Sequence, residues 1–437
     1  MSPAKPNGTN GSVWRYARRD CKGVVLVMVL WIVVLMTTTV AIVSRTGRLD
    51  MKMATAAVDE VRCKWACRAG TETAIGLLNE DSRATDSLSE LWSDNDDDYI
   101  DVPLERCTYN VEVIDEAGKL NVNTATREQL LALPYMETPI ADAILDWRDG
   151  DDTPRAEGAE AGYYENLPFP YTIRNGPFRT IRELLRVKGV TKDLLYGRGG
   201  SGSGQARLSQ TGGGLDHRAD PGWIAYLTCY SYERNVDADG QNRININQAD
   251  EGQLQNGLSL SAPQARWIVQ NRGSGYDNIA GLINSNSPSE PPEDAGDDGN
   301  RADPIDLQTF SRIADRITTS GDATLQGTVN VNTAGREVLT TLLGGGDQAE
   351  QIAESIVAER SGYLYGFQSV AEVLKVPSMT IDRFKSIAGL LTVRSNVFTV
   401  RCYATADVSG ATMQSECVVD RSETPCRILY WYHGAGY

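Results

Sequence analysis

The stretch WRDGDDTPRAEGAE, residues 147–160, crowds Asp149, Asp151, Asp152, Glu157 and Glu160 onto one short segment. Hard carboxylate oxygens gathered on a loop suit a calcium ion, which takes roughly six to eight such ligands in flexible geometry. A solvated acidic loop is the competing reading. A second segment, NVDADGQNRI from Asn235, offers Asn235, Asp237 and Asp239, followed by Gly240. That order imitates the first half of an EF-hand loop, but Ile246 stands where the closing bidentate Glu belongs. A polar turn fits this segment better than a second ion site.

Other chemistry finds little support. The chain of 437 residues holds two histidines, His217 and His433, which leaves no basis for a His-rich zinc site or a Ser/His/Asp triad. A nucleophile elbow, a phosphate-binding glycine loop and an H-E-x-x-H helix are all missing. We therefore expect no enzyme. The formal net charge of -16 repels nucleic-acid phosphates unless a local basic patch intervenes. None of the eight cysteines forms a CxxC pair. Cys63 and Cys67, four apart, fall on one helix face, where a free cysteine packs as a small hydrophobe.

The elements that would position these residues begin with an apolar run. RYARRDCK (15–22) and Gly23 precede Val24–Val43, a stretch without one charge. Its length matches the ~20 residues a helix needs to cross a bilayer. The basic flank favours an amino terminus on the cytoplasmic side. The following RTGRLDMKMATAAVDEVRCKWACRAGTETAIGLLNED has no proline. It repeats apolar residues at helical spacing, with Met53, Ala57, Val61 and Trp65 and then Ala74, Leu77 and Leu78 as the expected stripe.

The middle of the chain repeats itself. LNVNTATREQLLAL starts at Leu120, ININQADEGQLQNGL at Ile244 and VNVNTAGREVLTTLL at Val329. Thr126 with Gln129, and Asp250 with Gln253, fit a capping box that starts a helix, and Gly335 occupies the same place in the third copy. A second amphipathic helix follows in each copy, ending at Arg148, Arg272 and Arg360, and a third segment then opens on Phe178, Tyr276 or Phe367. The unit resembles helix-hairpin-helix or SAM-like modules, some of which bind DNA backbone through a glycine-apolar-glycine turn. Here the turns read PYMETP, SLSAP and GGGDQ, and VKGVTK (187–192) keeps one glycine of a second hairpin, so the phosphate-binding geometry is largely lost and a membrane-anchored, competence-like DNA receptor is only the alternative reading.

Alternating segments frame the repeats. CTYNVEVIDEAG (107–118) reads as a strand with Tyr109, Val111 and Val113 on one side. NVFTVRCYATADVSGATMQSECVVD reads as a hairpin turning at Ser409–Gly410, and CRILYWYHG from Cys426 as a last strand. A two-residue turn there places Cys402 directly opposite Cys417, as packed thiols or, in an oxidising compartment, a disulfide. Gly/Ser-rich 197–222 and Pro- and acid-rich 284–304 read as flexible linkers.

GKLNVNTA, AILDWRDGDDTPRAEGAEAGYY (143–164), NGPFRTIRELLRVKGV (175–190) and IADRITTSGDATLQGTVNVNTA (313–334) resemble, in order and spacing, the K-type minor pseudopilins of type II secretion systems. Most pilin-like proteins carry Glu five residues into the mature chain; K-type members lack it, and Met28 stands there. The resemblance implies an α+β fold in which a stem helix and small antiparallel pilin-like sheet enclose a large inserted helical domain. It divides the chain into a leader at 1–23, a membrane helix at 24–45, and a stem with first strand at 46–118. The inserted domain follows at 119–393 and the closing strands at 394–437. It implies prepilin peptidase cleavage between Gly23 and Val24, with methylation of the new terminus, and an inner-membrane anchor with a periplasmic body. The implied role is at the tip of the pseudopilus, alongside other minor pseudopilins, the major pseudopilin and secreted proteins. By position it also assigns calcium to Asp149, Asp151, Asp152 and Glu160.

Overall fold

The apolar run folds as the first part of one helix, α1 (Lys22–Glu80). The computed structural model of the chain describes residues 22–197, 221–283 and 302–435. The leader to residue 21, His217 and nearly all of both proposed linkers lie outside the described residues. Residues to Val58 and residues from Asp59 onward are two separate units. In the first, every residue from Val24 to Val43 is exposed, as a segment that meets lipid would be.

In the second unit the stem buries the far end of the expected stripe, at Ala74 and Leu78, but not its nearer members. Val61 and Trp65 are 55% and 66% exposed, whereas Cys63, Ala66, Cys67, Gly70, Ala74 and Leu78 are buried. Size decides this. A Cβ on Gly70 would lie 2.8 Å from Val111 Cγ2 and 2.9 Å from the Tyr109 ring, so helix and sheet approach too closely for large side chains. The larger Val61 and Trp65 are left outside.

The sheet under this face has five antiparallel strands: β1 (Val102–Leu104), β2 (Cys107–Asp115), β3 (Val397–Ala406), β4 (Thr412–Asp420) and β5 (Arg427–Ala435). They lie in the order β1-β2-β3-β4-β5. Its core joins the stem residues to Trp92, Tyr99, Tyr109, Val111, Phe398, Val400 and Val419. The β3–β4 hairpin corrects one expectation. Cys402 pairs with Ser415 and Cys417 with Val400, two residues away from the anticipated register. Ala406 donates its amide to the Ala411 carbonyl, so the connection is the four-residue loop Asp407–Gly410. Side chains alternate with period two, so a slip of two keeps every residue on its face while changing every partner. Cys402 and Cys417 therefore do not face each other, and both are free thiols, as are Cys63 and Cys107.

Between β2 and β3 the chain makes three copies of one helical unit. Their helices are α2 (Arg127–Leu131) and α3 (Thr138–Arg148), α4 (Glu251–Leu258) and α5 (Ala262–Asn271), and α6 (Arg336–Leu342) and α7 (Asp347–Arg360). Both anticipated capping boxes form, at Thr126 and Asp250, and Gly335 caps α6 without a side chain. Each copy opens on a two-residue strand that pairs in parallel with a strand closing the same copy: Leu120 with Leu227, Ile244 with Ile317 and Val329 with Leu391. The copies share a second hydrophobic core that includes Trp147, Trp223, Phe310, Phe367 and Phe384.

The recurring Asn-x-Asn and terminal Arg have the same structural task in each copy. Asn121, Asn245 and Asn330 each accept, through Oδ1, the amide two residues on, at 2.9 Å. Asn123, Asn247 and Asn332 clamp the aromatic residue of the third segment. The Oδ1 atoms accept the amides of Phe178, Tyr276 and Phe367 at 2.7, 2.7 and 2.8 Å. The Nδ2 atoms donate to the carbonyls of the same residues at 3.0, 3.0 and 2.9 Å. Arg148 donates to Val122 and Ala125, Arg272 to Ala249, and Arg360 to Val331 and Ala334. These side chains satisfy backbone groups that burial would otherwise leave unpaired. Arg360 is buried enough that desolvation pushes its pKa down to about 10. Arg360→Ala strands two buried carbonyls and should cost about 2–4 kcal/mol in urea unfolding.

Candidate functional site

The acidic loop begins one turn earlier than the sequence suggested. Asp146, fully buried in the last turn of α3, stands with Asp149 and Glu160 so that one oxygen from each lies within 4.8 Å of the others. Asp146 accepts the Ala159 amide at 2.8 Å and the Arg155 amide at 3.2 Å. A Cβ on Gly158 would meet Asp146 Oδ2 at 1.8 Å, so the loop closes over this carboxylate only because glycine stands there.

Three oxygens of the cluster are orphans among the described residues. Both Glu160 carboxylate oxygens and Asp149 Oδ1 are buried and make no hydrogen bond. Burial first, and then the charges of Asp146, Asp149, Asp152 and Asp151, push Glu160 up to about 7. Arg155 supplies the nearby positive charge, with Nη1 bridging Asp146 at 2.6 Å and Asp149 at 2.7 Å. Among the described residues, Glu160 receives no such partner. Buried hard oxygens without donors are surroundings a calcium ion fits, and Asp146, Asp149 and Glu160 are the residues that would hold one.

Asp151 and Asp152 do not join the cluster. Both are exposed; Asp151 accepts the Thr153 amide at 2.7 Å and Asp152 accepts Asn175 Nδ2 at 2.8 Å. Asp146 was overlooked because it sits in a helical stretch, AILDWR. The signal was its spacing of three before Asp149, which places both on one side of a helix turn. At the second acidic segment, Asp237 accepts the Asp239 and Gln241 amides at 3.1 and 2.8 Å and caps a turn, while Asp239 is exposed. Asn235 donates to the Ser320 and Asp322 carbonyls.

A second carboxylate group, Asp81, Asp86 and Glu90, has a different counter-charge. Arg421, wholly buried, pairs with Asp81 at 2.6 Å and with Asp86, donates to the Ser395 carbonyl and lies over the Phe398 ring. Next to it Asp115 accepts from Asn330, Thr333 and Ser395. This network joins the end of the stem, the sheet and the third helical copy. Its geometry is structural.

At the amino-terminal end, Gly23 and Val24 lie in the first turn of α1, and the helix is apolar enough to anchor the chain in a membrane, with a mean hydropathy of 2.7 over its best window.

An α+β protein with one anchoring helix, a sheet against the stem and a repeated helical body is the class these elements define. Residues 109–196 match the first-domain model of "Type II secretion system (T2SS), protein K", and residues 329–394 match a second model of the same description. In these two segments the chain is similar to the type II secretion system protein K family. It is 28% identical over 197 residues to type II secretion system protein K of Pectobacterium carotovorum subsp. carotovorum, covering 40% of this chain and 60% of that protein. To the Klebsiella pneumoniae protein K it is 25% identical over 194 residues, covering 40% and 59%. The chain therefore aligns with about three fifths of the length of these curated relatives. A chain of the GspK-GspI-GspJ complex from enterotoxigenic Escherichia coli is similar at a TM-score of 0.48 and 15% identity, over 88% of this chain and 99% of that one. The second helical copy lies between the two matched segments.

Proposed function

We propose that the chain is a minor pseudopilin of a type II secretion system, placed at the tip of the pseudopilus, where it initiates the filament and assists protein export. The observation that carries this reading is the uncharged helix Val24–Val43 continuing as a stem into a sheet whose strands β2 and β3 enclose the helical body. Matching family segments on both β2 and the third copy support it. The helix anchors the precursor in the inner membrane with the body in the periplasm. Prepilin peptidase cuts between Gly23 and Val24, and the new terminus is methylated. Val24–Val43 then packs against the stems of the major and the other minor pseudopilins, and the exposed Val61 and Trp65 extend that apolar contact. Domain limits follow the sequence divisions at 24–45, 46–118, 119–393 and 394–437, with the copies as helix-hairpin-helix-like units. Calcium held by Asp146, Asp149 and Glu160 supplies positive charge that fixes the loop after α3. The role is assembly rather than catalysis.

The test is the mature amino terminus, read by mass spectrometry after co-expression with a prepilin peptidase. A chain beginning at Val24 is expected, and Gly23→Leu should leave essentially all of the chain unprocessed. A wild-type chain that retains Met1 to Gly23 would sink the pseudopilin reading. Salt-sensitive binding to duplex DNA would then favour the membrane-anchored DNA receptor.

A further inference from the structure

The buried face of the stem carries two cysteines, and each meets a cysteine or its backbone on the sheet. Cys63 Sγ lies 3.7 Å from Cys107 Sγ, at the start of β2, and both residues are at most 1% exposed. Cys67, one turn on, directs its thiol to the Cys402 and Met413 carbonyls at 3.5 Å each. The close approach that Gly70 permits brings the first pair within reach. A disulfide needs its sulfurs at about 2.05 Å, so joining them takes a shift of under ~2 Å.

We propose that Cys63 and Cys107 form a disulfide that staples the stem helix to the sheet. The bond rests on the periplasmic location given above, because that compartment supplies the oxidant: the disulfide of a thiol oxidase. The Cys63 thiolate attacks one donor sulfur and releases the other as a thiolate. Cys107 then attacks Cys63 Sγ and releases the donor's remaining sulfur. The two cysteine thiols give up two electrons and two protons, and the donor leaves as a dithiol. Burial, before any neighbouring group, pushes the Cys63 thiol up to about 12 and raises Cys107 as well. Thiolate is scarce in the closed body, so the bond forms as stem and sheet come together. It closes a loop spanning 44 positions in the chain, and it holds the junction through which the anchoring helix would pull on the body.

The full-length chain extracted from membranes is alkylated under denaturing conditions without reductant and digested with trypsin. Cleavage after Arg62 and Lys64 places Cys63 and Cys67 on separate peptides, so the assignment is direct. A Cys63–Cys107 linked peptide, lighter than its reduced parts by two hydrogens, is expected. Reductant should lower the melting midpoint of wild type and leave that of Cys63→Ser unmoved. In parallel, the chain is refolded in a glutathione buffer. Both cysteines alkylated in both preparations, or a Cys67–Cys402 link in their place, overturns the proposal. A link after refolding together with free thiols in the membrane extract upholds the pairing and overturns the oxidising location.

Discussion

Above pH 8, Arg421→Met should destabilise the body by about 3–5 kcal/mol, because it leaves a buried ionised carboxylate without its counter-charge. Asp86 is fully buried; its Oδ2 accepts the Ser395 amide at 2.7 Å and its other oxygen faces Arg421. Burial pushes Asp86 up to about 8, with the Arg421 charge acting against that shift and Asp115 and Glu90 adding to it. A carboxyl raised above its unfolded value of about 3.9 gives stability that is complete below that value and lost as pH rises through the folded one. Wild-type stability should therefore decline from about pH 4 to pH 8 through this group. Removing Arg421 lifts the folded pKa further, so the decline should deepen and extend to higher pH. Urea unfolding at pH 5 and at about pH 9.5 checks both the loss and its sign, since the two proteins decline in parallel up to pH 8 and part only above it. Adding Asp86→Leu to Arg421→Met should restore most of the stability, since an apolar pair of similar volume removes the orphan charge. Equal losses in the single and double variants would mean that Arg421 acts by packing alone.

The elements that were legible are those decided locally. Thr126 with Gln129 and Asp250 with Gln253 contain a whole capping box within four residues, and both form. The alternation of Tyr109 and Val111 likewise reveals the buried side of β2. The recurring motif was visible, but its purpose was not. Asn123 and Asn332 find the Phe178 and Phe367 backbones 55 and 35 positions away, and no short-range pattern announces such a partner. The β3–β4 hairpin shows the same division: alternation settles which face each residue joins, and only the geometry of Asp407–Gly410 settles who sits opposite. On the stem, apolar periodicity selected Val61 and Trp65. The close approach to β2 selected their smaller neighbours instead, a constraint imposed by Tyr109 and Val111 from another part of the chain. Asp146 was hidden by the same logic, since a carboxylate inside a helix reads as solvent-facing until the loop from Arg155 to Glu160 is seen to fold over it.

Calcium should raise the melting midpoint of the chain, and Asp146→Asn or Glu160→Gln should weaken its binding roughly 100-fold, each removing a carboxylate of the buried cluster. Asp151→Asn and Asp152→Asn should leave binding nearly unchanged, because those side chains are spent on Thr153 and Asn175. Calorimetry on the chelator-treated protein measures the affinities directly. Calcium at 100 times its dissociation constant should add about 2.7 kcal/mol to the unfolding free energy by mass action. Arg155 supplies a sharper discrimination. Its guanidinium bridges Asp146 and Asp149, so it competes with a cation for the same oxygens. Arg155→Gln should therefore bind calcium more tightly than wild type while being less stable in chelator, since three carboxylates then face one another without a counter-charge. An ordinary solvated acidic loop predicts neither effect. Absence of heat and of any thermal shift in wild type and Arg155→Gln alike would leave Arg155 as the permanent counter-ion of this cluster.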